Sequence, residues 1–179
     1  MAIDELAART RAAGRLEGDA WIAETTLAGE PALLVKPQSY MNLSGEPVSR
    51  LLAAKGGGPA DLIVIVDDVA LPLGRLRVRP EGSDGGHNGL GSLIASLQTD
   101  AFTRVRIGVG PAATEAAPDE AAAGRAAERD SLKDFVLADF LPEESERLRE
   151  VVGLAADAVS CVVDVGVAAA MNRFNGRAV

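Results

Sequence analysis

The run Leu62-Ile63-Val64-Ile65-Val66, broken at once by Asp67-Asp68, constrains this chain more than any other stretch. An uninterrupted apolar run rich in β-branched residues reads as a strand buried on both faces, which requires cover above and below the sheet. The acid pair then marks the carboxyl end of the strand at an open edge. Ligands of such sheets gather at that end.

The neighbouring periodicities fill in the rest. Trp21 to Leu27 alternates as a strand, Gly29-Glu30 supplies a turn, and Ala32 to Val35 returns as the second arm of a hairpin. Leu76 to Arg79 and Val105 to Val109 are further strands. Helices are expected over Asp4 to Ala13, from Ser44 to about Lys55 with Pro47 in the first turn, and over His87 to Leu97. Pro142 opens a long helix in which Leu148, Val151, Val152, Ala155, Val159, Val162 and Val163 share one face. Gly166 breaks that helix before a last turn through Phe174. The expected fold is α/β: a single-domain sandwich over residues 1–179, with a mixed, mostly parallel sheet and helices on both faces. Pro111 to Asp130, rich in Ala, Glu and Pro without a steady period, reads as a mobile insertion.

Composition excludes several function classes. Aromatic residues make up only 3% of the chain, so the core is built from Ala, Val, Leu and Ile. The net charge of −8 argues against a nonspecific nucleic-acid coat. Between Arg75 and Arg106, however, five arginines face three acids, a local balance of +2 that suits a partner held at one or two phosphates. No dinucleotide, P-loop or serine-elbow motif occurs. One histidine and one cysteine make no zinc site, and Cys161 reads as a small buried hydrophobe. No signal peptide or membrane span is recognisable, and a cytoplasmic location is expected.

Two segments join the acid pair as candidates. Lys36 to Gly45 puts Tyr40 and Asn42 between a strand and a helix start, and Gly85 to Gly89 puts Asn88 at another helix start. Backbone N–H groups at such ends favour anionic or carbonyl oxygen, and glycine lets a backbone approach a ligand. Either asparagine could instead cap its helix.

The runs YMNLSG, VIVDDVALPLG, DGGHNGLGSL, RVRIGVG and FVLADF, in that order, resemble the bacterial peptidyl-tRNA hydrolases from about Leu6 to Phe174. The resemblance implies hydrolysis of the ester between peptide and tRNA, recycling tRNA from stalled translation, by a monomer with no metal and no cofactor. It matches Tyr40 and Asn42 to a substrate-contacting aromatic and amide, Asn88 to a second amide, and Asp67 to the acid that orients a catalytic histidine. It matches Arg79 and Arg106 to a clamp on the tRNA 5′ phosphate. His87 corresponds to a neighbouring histidine and not to the general base. That base belongs to an amino-terminal Arg-His-Asn-type motif after a first strand, which would precede Met1, so the chain is expected to be amino-terminally truncated. The alternative reading is a non-catalytic tRNA- or RNA-binding protein of the same fold.

Overall fold

Ala28 and Gly29 both take positive φ, 49° and 91°, and so short a turn makes the strands on either side run antiparallel. The computed structural model describes residues 1–110 and 144–178. In it β1 (Arg15–Glu17), β2 (Ala20–Leu27) and β3 (Glu30–Pro37) form one antiparallel sheet. A second sheet has the order β4-β6-β5, built from β4 (Ile63–Pro72), β5 (Leu76–Arg79) and β6 (Thr103–Gly110). The helices are α1 (Ala2–Thr10), α2 (Gly45–Ala54), α3 (Asn88–Leu97), α4 (Glu144–Val165) and α5 (Val167–Phe174).

Class and mixed pairing agree with the sequence reading, but the expectation of a mostly parallel sheet is corrected. Among the described residues, parallel pairing is confined to β4 and β6; β5 runs antiparallel to β6. Parallel neighbours need a crossover of about a dozen residues or more, and the stretch between β4 and β6, which carries β5 and α3, supplies one. The expected insertion at Pro111 to Asp130 lies outside the described residues, as do Pro142 and the FVLADF run.

Alternation along β4 divides the core. Ile63 and Ile65 pack with Val78, Val105, Ile107 and α1, α4 and α5, whereas Leu62, Val64 and Val66 pack with Leu90, Leu93 and Phe102 on the α3 side. Helices therefore cover both faces of this sheet. Each fully buried aliphatic side chain contributes roughly 1.5–3 kcal/mol, and Val105 and Val151, at 0% exposure, sit at the centre of the larger cluster. Of the face expected on the long helix, Leu148, Val151, Val152, Ala155 and Val159 are buried, with Val162 and Val163 half-buried beside them. Cys161 is buried as expected.

Two details of β4 depart from the reading of its sequence. Ile63, Val64 and Ile65 are only half-buried, because β6 pairs one edge of β4 while the other borders an apolar groove of about 570 Å³ shared with Leu33 and Val35 of β3. Nor does the strand stop at the acids. It continues through a register shift between Asp68 and Pro72, beside Gly108, where a Cβ would stand 2.1 Å from the Pro72 carbonyl oxygen. Bulges of this kind re-aim side chains next to functional sites. α1 begins at Ala2, earlier than expected, and is docked through Arg9, which donates to Glu5 at 2.7 Å and to Asp157 at 2.6 Å.

Candidate functional site

Gly85 and Gly86 adopt φ of 58° and 84°, left-handed conformations that a side chain would strain. Asp84 ties this turn: its Oδ1 accepts the Gly86 N–H at 3.1 Å and its carbonyl accepts the His87 N–H at 3.0 Å. The chain thus delivers His87 to the position just before α3. There Nδ1 accepts the N–H groups of Gly89 and Leu90 at 3.1 and 3.2 Å, satisfying donors that a helix start otherwise leaves open. Nε2 lies 3.2 Å from Asp67 Oδ1. An Nδ1 that accepts carries no proton, so the ring in this arrangement is the neutral tautomer with its hydrogen on Nε2, donated to Asp67. That bond holds the Asp67 carboxyl below its ordinary 3.8, against partial burial, which pushes it up.

The other segment leaves β3 at Pro37 and passes Tyr40 into a 3₁₀ turn, Met41–Leu43, closed by the Leu43 N–H on the Tyr40 carbonyl at 2.8 Å. It then enters α2 at Gly45, whose N–H donates to Ser92 Oγ at 2.9 Å. A Cβ on Gly45 would come within 2.2 Å of the Ser92 carbonyl oxygen, so glycine lets α2 seat directly on α3. Met41 closes the gap from the other side. Its sulfur would meet a Cβ on Gly89 at 2.7 Å. The two segments predicted from sequence are therefore in contact, with Asn88 next to the junction.

Tyr40 is 82% exposed. Asn42 and Asn88 are exposed as well, and neither amide makes a hydrogen bond among the described residues. The capping alternative thus fails for both asparagines: His87 caps α3, and Ser44 precedes α2 without a side-chain cap bond.

At the far side of the loop, Arg77 stands across from Arg106 and Arg79 across from Arg104. Arg79 and Arg106 are diagonal on one face of the ladder, a separation that long side chains span. Arg79 is exposed and has no partner among the described residues. Arg106 differs, for its Nε contacts Asp68 Oδ2 at 3.0 Å. Asp68 is buried and its other oxygen accepts the Ala70 N–H at 3.0 Å. The adjacent acids of β4 thus serve opposite ends of the site, Asp67 holding His87 and Asp68 holding Arg106.

Sequence reasoning missed three roles: the His87 cap, Asp68 as the partner of Arg106, and the burial of Arg104. The alternation in RVRIGVG puts Arg104 and Arg106 on one face and was the signal available for the last two. Among the described residues, no group of three or more His, Cys, Asp or Glu gathers as a metal site would require. No described helix is long and apolar enough to cross a membrane.

The family model described as peptidyl-tRNA hydrolase matches residues 1–179. A protein named peptidyl-tRNA hydrolase from Alkaliphilus oremlandii is 39% identical over 176 residues, which is 98% of this chain and 87% of that protein. One of the same name from Chloroflexus aggregans is 45% identical over 157 residues, covering 86% of this chain and 75% of the relative. In fold, the crystal structure of peptidyl-tRNA hydrolase from Acinetobacter baumannii matches with a TM-score of 0.84 at 22% identity, over 99% of this chain and 84% of that one.

Proposed function

Because the chain belongs to the peptidyl-tRNA hydrolase family, we propose that it hydrolyses the ester between peptide and tRNA, working as a cytoplasmic monomer without metal or cofactor. The observation that carries this reading is the pair of uncommitted amides, Asn42 and Asn88, on touching segments beside the Asp67–His87 bond. An amide offers donors and an acceptor without carrying charge. Asn42 and Asn88 hold the peptide carbonyls and the attacking water, and the exposed Tyr40 ring offers a face to the substrate. Asp67 is the acid that orients a histidine, and the histidine it holds here is His87. With Nδ1 engaged by α3 and Nε2 by Asp67, His87 secures geometry and takes no proton from water. Arg79 and Arg106 meet the tRNA 5′ phosphate.

Orientation of water and ester lowers the barrier by fixing reactants that would otherwise have to meet. The non-catalytic RNA-binding alternative is not favoured, since relatives at 39% and 45% identity are named as hydrolases. Single-turnover release of peptide from peptidyl-tRNA tests the proposal. Asn42→Ala and Asn88→Ala should each slow release with the circular-dichroism spectrum intact; unchanged rates in both would remove this site from consideration.

A further inference from the structure

Arg104 is a buried cation without a carboxylate partner among the described residues. It is 2% exposed, it takes part in no ion pair there, and burial pushes its guanidinium downward from its ordinary value. All of its hydrogen bonds run to backbone carbonyls. Nη1 donates to Gly82 and, at 3.0 Å, to Ser83, while Nη2 donates to Asp100 at 2.7 Å. The guanidinium carbon lies 4.5 Å from the centre of the Phe102 ring, which fixes its plane. A planar fork suits this task, since it reaches several acceptors in set directions where an ammonium would not.

What the fork grips matters. Gly82 and Ser83 begin the loop that leads through Gly85 and Gly86 to His87, and Asp100 lies just beyond the far end of α3. One side chain thus ties together both ends of the segment from residue 82 to residue 100, with α3 between them. The glycines of the loop do not supply this constraint, because left-handed glycines are free to adopt other conformations. We infer that Arg104 is a positioning residue: by holding Gly82, Ser83 and Asp100 it sets the start of α3, and with it the Asn88 amide and the His87–Asp67 contact. Its effect on the reaction rests on the proposed site, whereas its effect on geometry does not.

The single histidine makes that geometry measurable, because every imidazole signal in the protein belongs to His87. With ¹⁵N-labelled histidine, the wild-type spectrum should show the Nε2–H tautomer with Nδ1 as acceptor. Arg104→Met, which fills similar volume without donors, should replace it by averaged signals. The single-turnover rate per folded molecule should fall about tenfold to a hundredfold, as for a displaced catalytic group, with the half-saturating substrate concentration changed less than about threefold on the same ground. Arg104→Lys, which keeps the charge but not the fork, should lie between. If Arg104→Met does not fold, Arg104→Lys carries the test: a wild-type histidine spectrum and rate in that variant overturns the inference. So does a folded Arg104→Met that lowers the melting temperature while leaving spectrum and rate untouched. Absence of hydrolysis by the wild type would count against the proposed site, and the histidine spectra would still decide whether Arg104 sets the loop.

Discussion

The segments Tyr40 to Gly45 and Asp84 to Gly89 look alike as sequence: each runs into a helix start, each is flanked by glycine, and each presents one asparagine. They are tethered to different degrees. The second is held by bonds at every step, from the Asp84 turn to the His87 cap, the Asp67 contact and the Arg104 fork. The first is held by fewer bonds, the Leu43 N–H on the Tyr40 carbonyl and the Gly45 N–H on Ser92 Oγ, with Met41 packed against Gly89, and it leaves Tyr40 and Asn42 in solvent. An amide on a pre-set frame helps in the transition state, because no ordering remains to be done. An amide on a segment seated by contact contributes more to gathering the substrate.

The largest effects should expose this difference. Asn88→Ala is expected to lower the single-turnover rate by about a hundredfold, the scale of losing a positioned donor, with little change in half-saturation. Asn42→Ala should cost about tenfold, mostly in half-saturation, as the loss of uniform binding does. Equal losses with the same division between the two parameters would show that both amides do one job, and the contrast would be gone.

Next in size are two glycine substitutions that test how each segment is held. Gly45→Ala drives a Cβ to within 2.2 Å of a backbone oxygen, and overpacking of this kind costs about 1–3 kcal/mol; here the upper end is expected, as the obstacle is not a flexible side chain. Gly86→Ala meets nothing within 4 Å, and its φ of 84° sets the cost, about 1–2 kcal/mol. Urea unfolding of both variants measures the ratio. If Gly86→Ala proves the more damaging, the turn and not the helix seating is the critical joint.

Sequence made some of this legible and hid the rest for identifiable reasons. The β4 run and the alternation of β6 give the strands and their faces, because side-chain period is a local property. Which edge of β4 is paired is not local, so Ile63 to Ile65 were expected to be fully buried and are not. The contact from Asp67 to His87 spans 20 positions, and nothing in either motif alone declares it. Arg104 shows the limit most plainly. Its face could be read from RVRIGVG, but its burial depends on a loop folding over it from 21 and 22 residues away.

Smaller effects separate the two halves of the His87 bridge. His87→Ala removes the α3 cap, worth about 1 kcal/mol, but leaves the Arg104 fork in place, so Asn88 should stay near its position and the rate should fall only a few-fold. Asp67→Asn keeps the cap and turns a charge-assisted hydrogen bond at a partly exposed carboxyl into a neutral one, so it should cost more rate and less stability. The pH dependence has a definite sign. The folded carboxyl of Asp67 lies below its ordinary 3.8 because His87 donates to it. Its stabilisation is therefore present above that value and is lost as pH falls through the lower folded one. Asp67→Asn should flatten the stability curve below about pH 4, an effect kept small by the side chain's 38% exposure. A rate more sensitive to His87→Ala than to Asp67→Asn would return the imidazole to the centre of the chemistry.

The smallest expected change lies at the arginine face and sets Arg79 against Arg106. With two phosphate contacts, tRNA binding should weaken with salt along a log–log slope of about −1.4 to −1.8, on the rule of about −0.7 to −0.9 per phosphate. Arg79 stands in solvent without a partner among the described residues, so Arg79→Gln should remove close to one contact's worth of slope and leave stability unchanged. Arg106 is already matched by Asp68. Its replacement by Gln should also destabilise the fold, since it strands a buried carboxylate whose remaining bond is to the Ala70 N–H. Filter binding across a salt series, together with melting curves, reads both quantities. Arg106→Gln that changes the slope yet melts like the wild type would mean that the Asp68 pair does not hold Arg106 in solution. A wild-type slope several times steeper would mean that the substrate is held along a wider basic surface than these two residues provide.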